Sequence, residues 1–255
     1  MRNKVKGLLE DAYRRFARPE FIENDPIQIP ARYSKKEDVE IAAFLTATIA
    51  WGQRKSIINS ANRLMAWMDE QPFDFVVNHQ PQERERFAQF VHRTFNGLDA
   101  MYFLEALQNL YRIEDGLEGA FAGDAGSHVK DRIAAFHRTF FSLPHLSRTV
   151  KHVSNTERGS SAKRLNMFLR WMVRSRKEGI DFALWKSISP SELMMPLDVH
   201  TATVSRKLGL LLRAQNDWRA VEELTASLRI FDPLDPVRYD LALFGLGVHR
   251  MVPHR

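Results

Sequence analysis

The 255-residue chain contains no cysteine. Disulfides, thiolate nucleophiles, cysteine-ligated zinc and iron–sulfur clusters are therefore excluded by composition. No apolar run approaches the roughly eighteen residues that a membrane-spanning helix needs. The opening residues, Met1 to Lys6, are polar and lead straight into a helical pattern rather than a secretory signal. The expected location is the cytoplasm, with no membrane partner and no cofactor. Walker-type loops, glycine-rich dinucleotide fingerprints and Ser-His-Asp signatures are also missing. There is no internal repeat, no low-complexity tract and no Gly/Ser-rich linker, so composition marks no boundary between lobes.

What is present is ordinary globular composition, 44% hydrophobic and 27% charged, in a chain long enough to bury a sizeable core. The net charge is +6, which suits a polyanionic partner without proving one. Its distribution says more than its total. From Ser147 to Lys177 there are nine cations, at positions 148, 151, 158, 163, 164, 170, 174, 176 and 177, against the single acid Glu157. Such a run reads either as a phosphate footprint or as a solvated helix face.

Hydrophobic periodicity is helical nearly throughout. Leu8, Leu9, Ala12, Tyr13 and Phe16 form one stripe, ended by Arg18-Pro19. Residues 22–36 read as an extended loop, and Ser34 to Glu37 as a capping box opening a buried helix from Val39 to Ile49. Further helices are expected over 56–68, 81–95, 98–113, 115–122, 127–141, 161–176, 198–208, 217–228 and 236–246, with a short segment near 180–187 and a helix start at Ser189-Pro190. No stretch alternates at period two. The fold class is all-α, with roughly ten helices.

Two segments carry candidate chemistry. In Met195-Pro-Leu-Asp198-Val-His200, a carboxylate follows a proline and opens a helix. It can act as an N-cap, and a carboxylate fixed there can also face a cationic transition state. In Gly159-Ser160-Ser161-Ala-Lys163-Arg164, a small-residue turn precedes a helix whose first amides offer a phosphate site. Leu165, Phe168, Leu169, Met172 and Val173 make its core stripe, while Lys163, Arg170, Arg174 and Lys177 share another face. The helix start and Arg164 both disfavour an ammonium at Lys163, a route to a nucleophilic amine; a plain phosphate contact is the alternative. Phe44, Trp51, Phe168, Trp171 and Trp185 are expected in the core rather than as base-stacking platforms. His200, His249 and His254 with Asp198 lack any known metal-ligand spacing, so no metal is expected.

Taken together, these segments resemble the helix–hairpin–helix DNA glycosylase superfamily. Pro196-Leu-Asp198-Val-His200 is similar to the P-V-D-V-H form of its 8-oxoguanine branches, and Val204 to Gly209 continues the likeness. The Lys-to-Asp separation, 198 − 163 = 35 residues, is similar to that of the archaeal 8-oxoguanine branch. Glu40 to Gln53 resembles the family's early buried helix, and Leu241 to Gly247 its late one. The resemblance implies a two-lobed helical fold with the active-site cleft between lobes, a central bundle over 38–160 and a second lobe of 1–37 plus 161–255. It implies a monomeric base-excision enzyme on damaged duplex DNA, a DNA N-glycosylase with AP-lyase activity that removes an oxidised purine. Asp198 and Lys163 would be catalytic. Gln53, Gly159, Ser160, Ser161, Arg164, Arg170, Arg174 and His200 would contact DNA. A non-catalytic nucleic-acid-binding protein and a helical scaffold without nucleic acid are the alternatives.

Overall fold

Leu9, Ala12 and Phe16 are all buried from one face of α1 (Arg2–Phe16) in the computed structural model, as their spacing dictates. The model describes residues 2–124 and 126–251. They divide into two units, one of Asn24–Ser154 and one joining the chain up to Glu23 with the chain from Asn155. The all-α class holds. Among the described residues, helix is interrupted by a single two-stranded hairpin, and no helix is long and apolar enough to cross a membrane.

The Asn24–Ser154 unit opens with two 3-10 turns, Pro26–Gln28 and Pro30–Arg32, where an extended loop was expected. Proline at the first position of each fixes φ for a tight turn. α2 (Lys36–Thr48) follows, buried at every position from Val39 to Thr48. Ser34 does not cap it. The residue before the helix is Lys35, with no side-chain cap, and Glu37 and Asp38 place negative charge at the positive helix end instead. Asp38 is also committed sideways, accepting the Phe73 N–H at 2.8 Å. α3 (Arg54–Trp67) comes next, then α4 (Pro72–Asn78), a short helix the periodicity did not reveal.

The helix expected over 81–95 is absent. Pro81–Phe87 is a 3-10 turn, and β1 (Val91–His92) pairs antiparallel with β2 (Phe95–Asn96). Phe87, Phe90 and Phe95 are all fully buried, and a turn at Arg93-Thr94 folds the chain back so that they are. Asn96 then caps α5 (Gly97–Ile113) through a reciprocal box with Asp99. α6 (Gly116–Ala122) and α7 (Val129–Phe140) complete the unit. Its centre is aromatic: the Phe44 ring lies 5.9 Å from Phe103 and 5.5 Å from both Phe136 and Phe140.

The other unit adds α8 (Lys163–Val173), α9 (Val199–Lys207), α10 (Trp218–Arg229) and α11 (Asp240–Val248) to α1. Residues 180–187 are not helical. Their N–H groups at Phe182, Leu184 and Trp185 bond the carbonyls of Trp171 and Met172 at 2.8 to 3.0 Å, closing the end of α8. Two glycines set the helix spacing. A Cβ on Gly245 would meet the Phe16 ring at 2.4 Å, and one on Gly247 would meet His200 Cβ at 2.9 Å. The absence of side chains there lets α1 and α9 close onto α11.

Candidate functional site

Lys163 is the first residue of α8, so its side chain projects back over the helix start. The residue before it, Ala162, is fully buried in a left-handed conformation, φ 46° and ψ 37°. Among the described residues Lys163 forms no ion pair, and its Nζ lies 4.0 Å from Met167 Sδ, one helical turn on. Asp198 is the N-cap of α9, as its place after Pro196 implied, with Oδ1 accepting the Thr201 N–H at 2.8 Å. Its second carboxylate oxygen is uncommitted among the described residues. Lys163 and Asp198 thus come from two helix starts of the same unit.

A third group joins them. Asp240, the first residue of α11, is 7% exposed, and Oδ2 accepts from Arg170 Nη1 at 2.5 Å. Burial holds its carboxyl above the usual carboxylate range. Arg170 works against that shift, the Asp198 charge adds to it, and Lys163 opposes it. Lys163 and Asp198 therefore both lie within electrostatic reach of one buried carboxyl. Sequence reasoning missed Asp240, because nothing around Tyr239-Asp240 signals a partner seventy residues upstream.

Arg170 and Arg174 do not face phosphate. They are 5% and 3% exposed and lock into a chain of carboxylates. Asp181 takes Arg170 Nε at 3.2 Å and Arg174 Nη1 at 2.7 Å, and Asp235 takes Arg174 Nη2 at 2.9 Å. Burial disfavours the Arg170 charge, but Asp181 and Asp240 overcome it and raise its pKa. The seven- and eleven-residue spacings from Lys163 did put both arginines on one face; that face is covered by segments remote in sequence. Arg164 is partly covered as well, and burial pushes its guanidinium down to about 10.

The Gly-Ser-Ser turn is also engaged internally. Gly159 and Ser160 donate their N–H groups to Thr156 and Asn155 at 3.0 and 3.3 Å. The Gly159 carbonyl receives the Trp218 N–H at 3.0 Å, and Ser160 bridges to Asp217 at the start of α10. Ser161 gives its carbonyl to Asn166 Nδ2 at 3.1 Å. What was expected as a phosphate cradle is a stitch between α8 and α10. Gly159 remains exposed on it, at φ 79°.

The remaining candidates are scattered. His200 is exposed on α9, edge-on to Phe244 at 5.9 Å. Gln53 is exposed before α3 in the Asn24–Ser154 unit and caps nothing. Phe44, Phe168, Trp171 and Trp185 are buried core as expected, and Trp51 is half-buried with His92 at 5.2 Å and His152 at 5.9 Å. No cluster of three or more metal-ligating side chains occurs among the described residues. His254 lies outside them.

No curated protein and no solved structure matches the chain. The likeness to helix–hairpin–helix glycosylases is overturned, because the family model that matches, over residues 25–249, is that of a different family. The physical reason is visible in the segments that carried it. An Asp N-cap recurs wherever helices begin, and a single Lys in the first turn of another helix adds no specific pattern to it. The glycine turn that would mark the hairpin has its amides bonded within its own loop. The match covers most of the chain, which belongs to the family described as a protein of unknown function, DUF2400.

Proposed function

We propose that the chain acts on DNA as a base-excising enzyme, with Lys163 as nucleophile and Asp198 as the carboxylate that faces developing positive charge. The observation supporting this is that Lys163, without an ion pair among the described residues, and Asp198, with one carboxylate oxygen committed to its helix cap, both stand at helix starts of the same unit. Exposed cations at Arg158, Arg176 and Lys177, together with the +6 net charge, favour a polyanionic substrate. A nucleotide swung out of a duplex would present its sugar to the pair.

The amine lone pair of Lys163 attacks C1′ of the damaged nucleotide. The glycosidic bond breaks with its electrons passing to the base, which leaves with a proton. Asp198 stabilises the cationic character that builds at the sugar. A proton passes from nitrogen to O4′ as the sugar ring opens, leaving an iminium between Lys163 and C1′, and loss of a C2′ proton to solvent then expels the 3′-phosphate and breaks the strand. An oxidised purine is the finer expectation for the base.

Borohydride reduction tests this directly, because it converts the iminium to a stable amine. Duplexes carrying an oxidised purine or an abasic site should yield a trapped covalent complex. Lys163→Gln should abolish it. Absence of any trapped species from either duplex sinks the lyase reading. DNA binding that falls with salt and persists in both Lys163→Gln and Asp198→Asn would leave a binding protein without chemistry.

A further inference from the structure

We infer that the acid-free surface gathered around Trp51 in the Asn24–Ser154 unit binds a nucleic-acid backbone, with Lys55, Arg63, Arg93 and Lys151 meeting its phosphates. The inference goes beyond the reaction proposed for Lys163 and Asp198 and does not require it.

Three stretches build the surface: the Trp51 turn with α3, the β1–β2 hairpin, and a 3-10 turn at Thr149–His152. Two buried histidines join them. His92 of β1 sets Nδ1 2.9 Å from Ser60 Oγ on α3 and Nε2 3.2 Å from the Trp51 carbonyl. The Trp51 ring lies edge-on to His92 at 5.2 Å and stacks on His152 at 5.9 Å, while His152 also packs on Phe95 of β2 at 4.9 Å. The cations stand around that seam. Arg63 donates to the Val91 carbonyl at 2.9 Å. Arg93 occupies the hairpin turn with its guanidinium against Gly52, where a Cβ would lie 2.7 Å from Nη1. Lys55 is in the first turn of α3, and Lys151 directly precedes His152. All four are exposed, and none forms an ion pair among the described residues.

Charge balance points to the partner. Residues 49–68, 87–97 and 147–156 carry six Lys or Arg and no Asp or Glu, although the chain as a whole has 31 acids against 37 Lys and Arg. Elsewhere in this unit cations sit beside acids, Arg86 with Asp69 and Arg84 with Glu105. The carboxylate beneath the surface, Asp99, is fully buried and already engaged. Thr149 Oγ1 donates to it at 2.8 Å and Arg148 at 2.9 Å, and His152 Nε2 stands at 3.2 Å. Asp99 thus offsets Arg148 and leaves the four exposed charges unbalanced, a repulsion that a polyanion relieves. Lys55 and Arg63 are about 12 Å apart along α3, with exposed Asn59 midway between them. That length matches roughly three nucleotides of one duplex strand at about 3.4 Å each. Exposed Ser56, Asn59 and Thr94 add hydroxyl and amide groups of the kind that hold phosphate and sugar oxygens. A membrane surface would call for apolar side chains to insert; α3 exposes no large one, and the hairpin only Val91.

Fluorescence anisotropy of a short labelled DNA duplex tests the surface on the intact protein, over a series of salt concentrations. Each cation removed from a phosphate contact lowers the slope of log K against log salt by about 1. Lys55→Gln/Arg93→Gln should therefore lose about 2 in slope and bind about ten-fold more weakly or worse at low salt. Arg112→Gln, an exposed position about 20 Å along α5 from Asp99, should bind as the wild type does. Affinity and slope in the double variant equal to those of Arg112→Gln overturn the inference. So does a loss confined to vesicles of phosphatidylserine and phosphatidylcholine with DNA binding intact, which assigns the surface to a membrane instead. If the hairpin turn does not accept Gln at position 93, lysine acetylation of the wild-type protein decides the matter. The same duplex should shield Lys55 and Lys151 and leave exposed Lys35 reactive, and equal reactivity with and without DNA overturns the inference. Failure of borohydride trapping with these results in hand counts against the reaction at Lys163 alone.

Discussion

Arg170 of α8 and Asp240 of α11 meet at 2.5 Å across seventy residues of chain, and both are buried. The contact decides what the α8 polar face does. An amphipathic helix carrying Lys163, Arg170 and Arg174 on one side presents a basic stripe to whatever lies beside it. Here acids from two stretches, at 181 and at 235–240, cover two of the three cations, and Lys163 alone of the three forms no ion pair among the described residues.

Replacing Arg170 by Ala should therefore cost about 3–5 kcal/mol of stability, since it strands Asp240 and half of Asp181 as buried charges. Urea or guanidinium unfolding reads this. A cost below about 1 kcal/mol would show that water reaches these carboxylates and that the array is not closed.

Asp198 has two roles that substitution separates. Asn caps a helix about as well as Asp, so Asp198→Asn should leave stability within a few tenths of a kcal/mol, whereas Asp198→Ala should lose about 1 kcal/mol. If the carboxylate also carries chemistry, both variants abolish base release. Base release at the wild-type rate by the Asn variant would confine Asp198 to its capping role.

Gly245→Ala should destabilise by about 1–3 kcal/mol, because the new Cβ would sit 2.4 Å from the Phe16 ring. Phe16 has little room to yield, being stacked on His249 at 5.3 Å and packed against Phe21 at 5.0 Å. Thermal unfolding of the variant checks this, and an unchanged midpoint would mean that α1 can slide on α11.

Stability should also fall on mild acidification. Burial holds the imidazoles of His79 and His92 below their usual pKa, so both fold as neutral rings. The unfolded chain then binds the extra protons. Stability is fully present above the unfolded histidine value of 6.5 and is lost as pH drops below it, by at most about 1.4 kcal/mol per pH unit for each ring. Melting curves at pH 7.5 and 5.5 should separate, and a His79→Gln/His92→Asn double variant should bring them together. A melting temperature that holds or rises on acidification contradicts this account.

Local signals in the sequence determined much of this protein. The helical period, the Asp198 cap before Val199, the Ser189 cap of what proves a three-residue 3-10 turn, Pro190–Glu192, and the buried aromatics follow from residue spacing and from short-range hydrogen bonding. They are properties of neighbours three and four positions apart. Tertiary structure decided the rest. The β1–β2 hairpin exists because Phe87, Phe90 and Phe95 all need burial, which one helix over 81–95 does not provide. Arg170 and Arg174 turned inward because Asp181, Asp235 and Asp240 arrive from segments 11, 61 and 70 residues away. The stitch of Gly159 and Ser160 to α10 likewise depends on a distant partner. A periodic pattern states which face of a helix is polar. Whether that face meets water, a ligand or a carboxylate from elsewhere in the chain depends on the packing of the whole unit, and here packing set Lys163 apart from the cations around it.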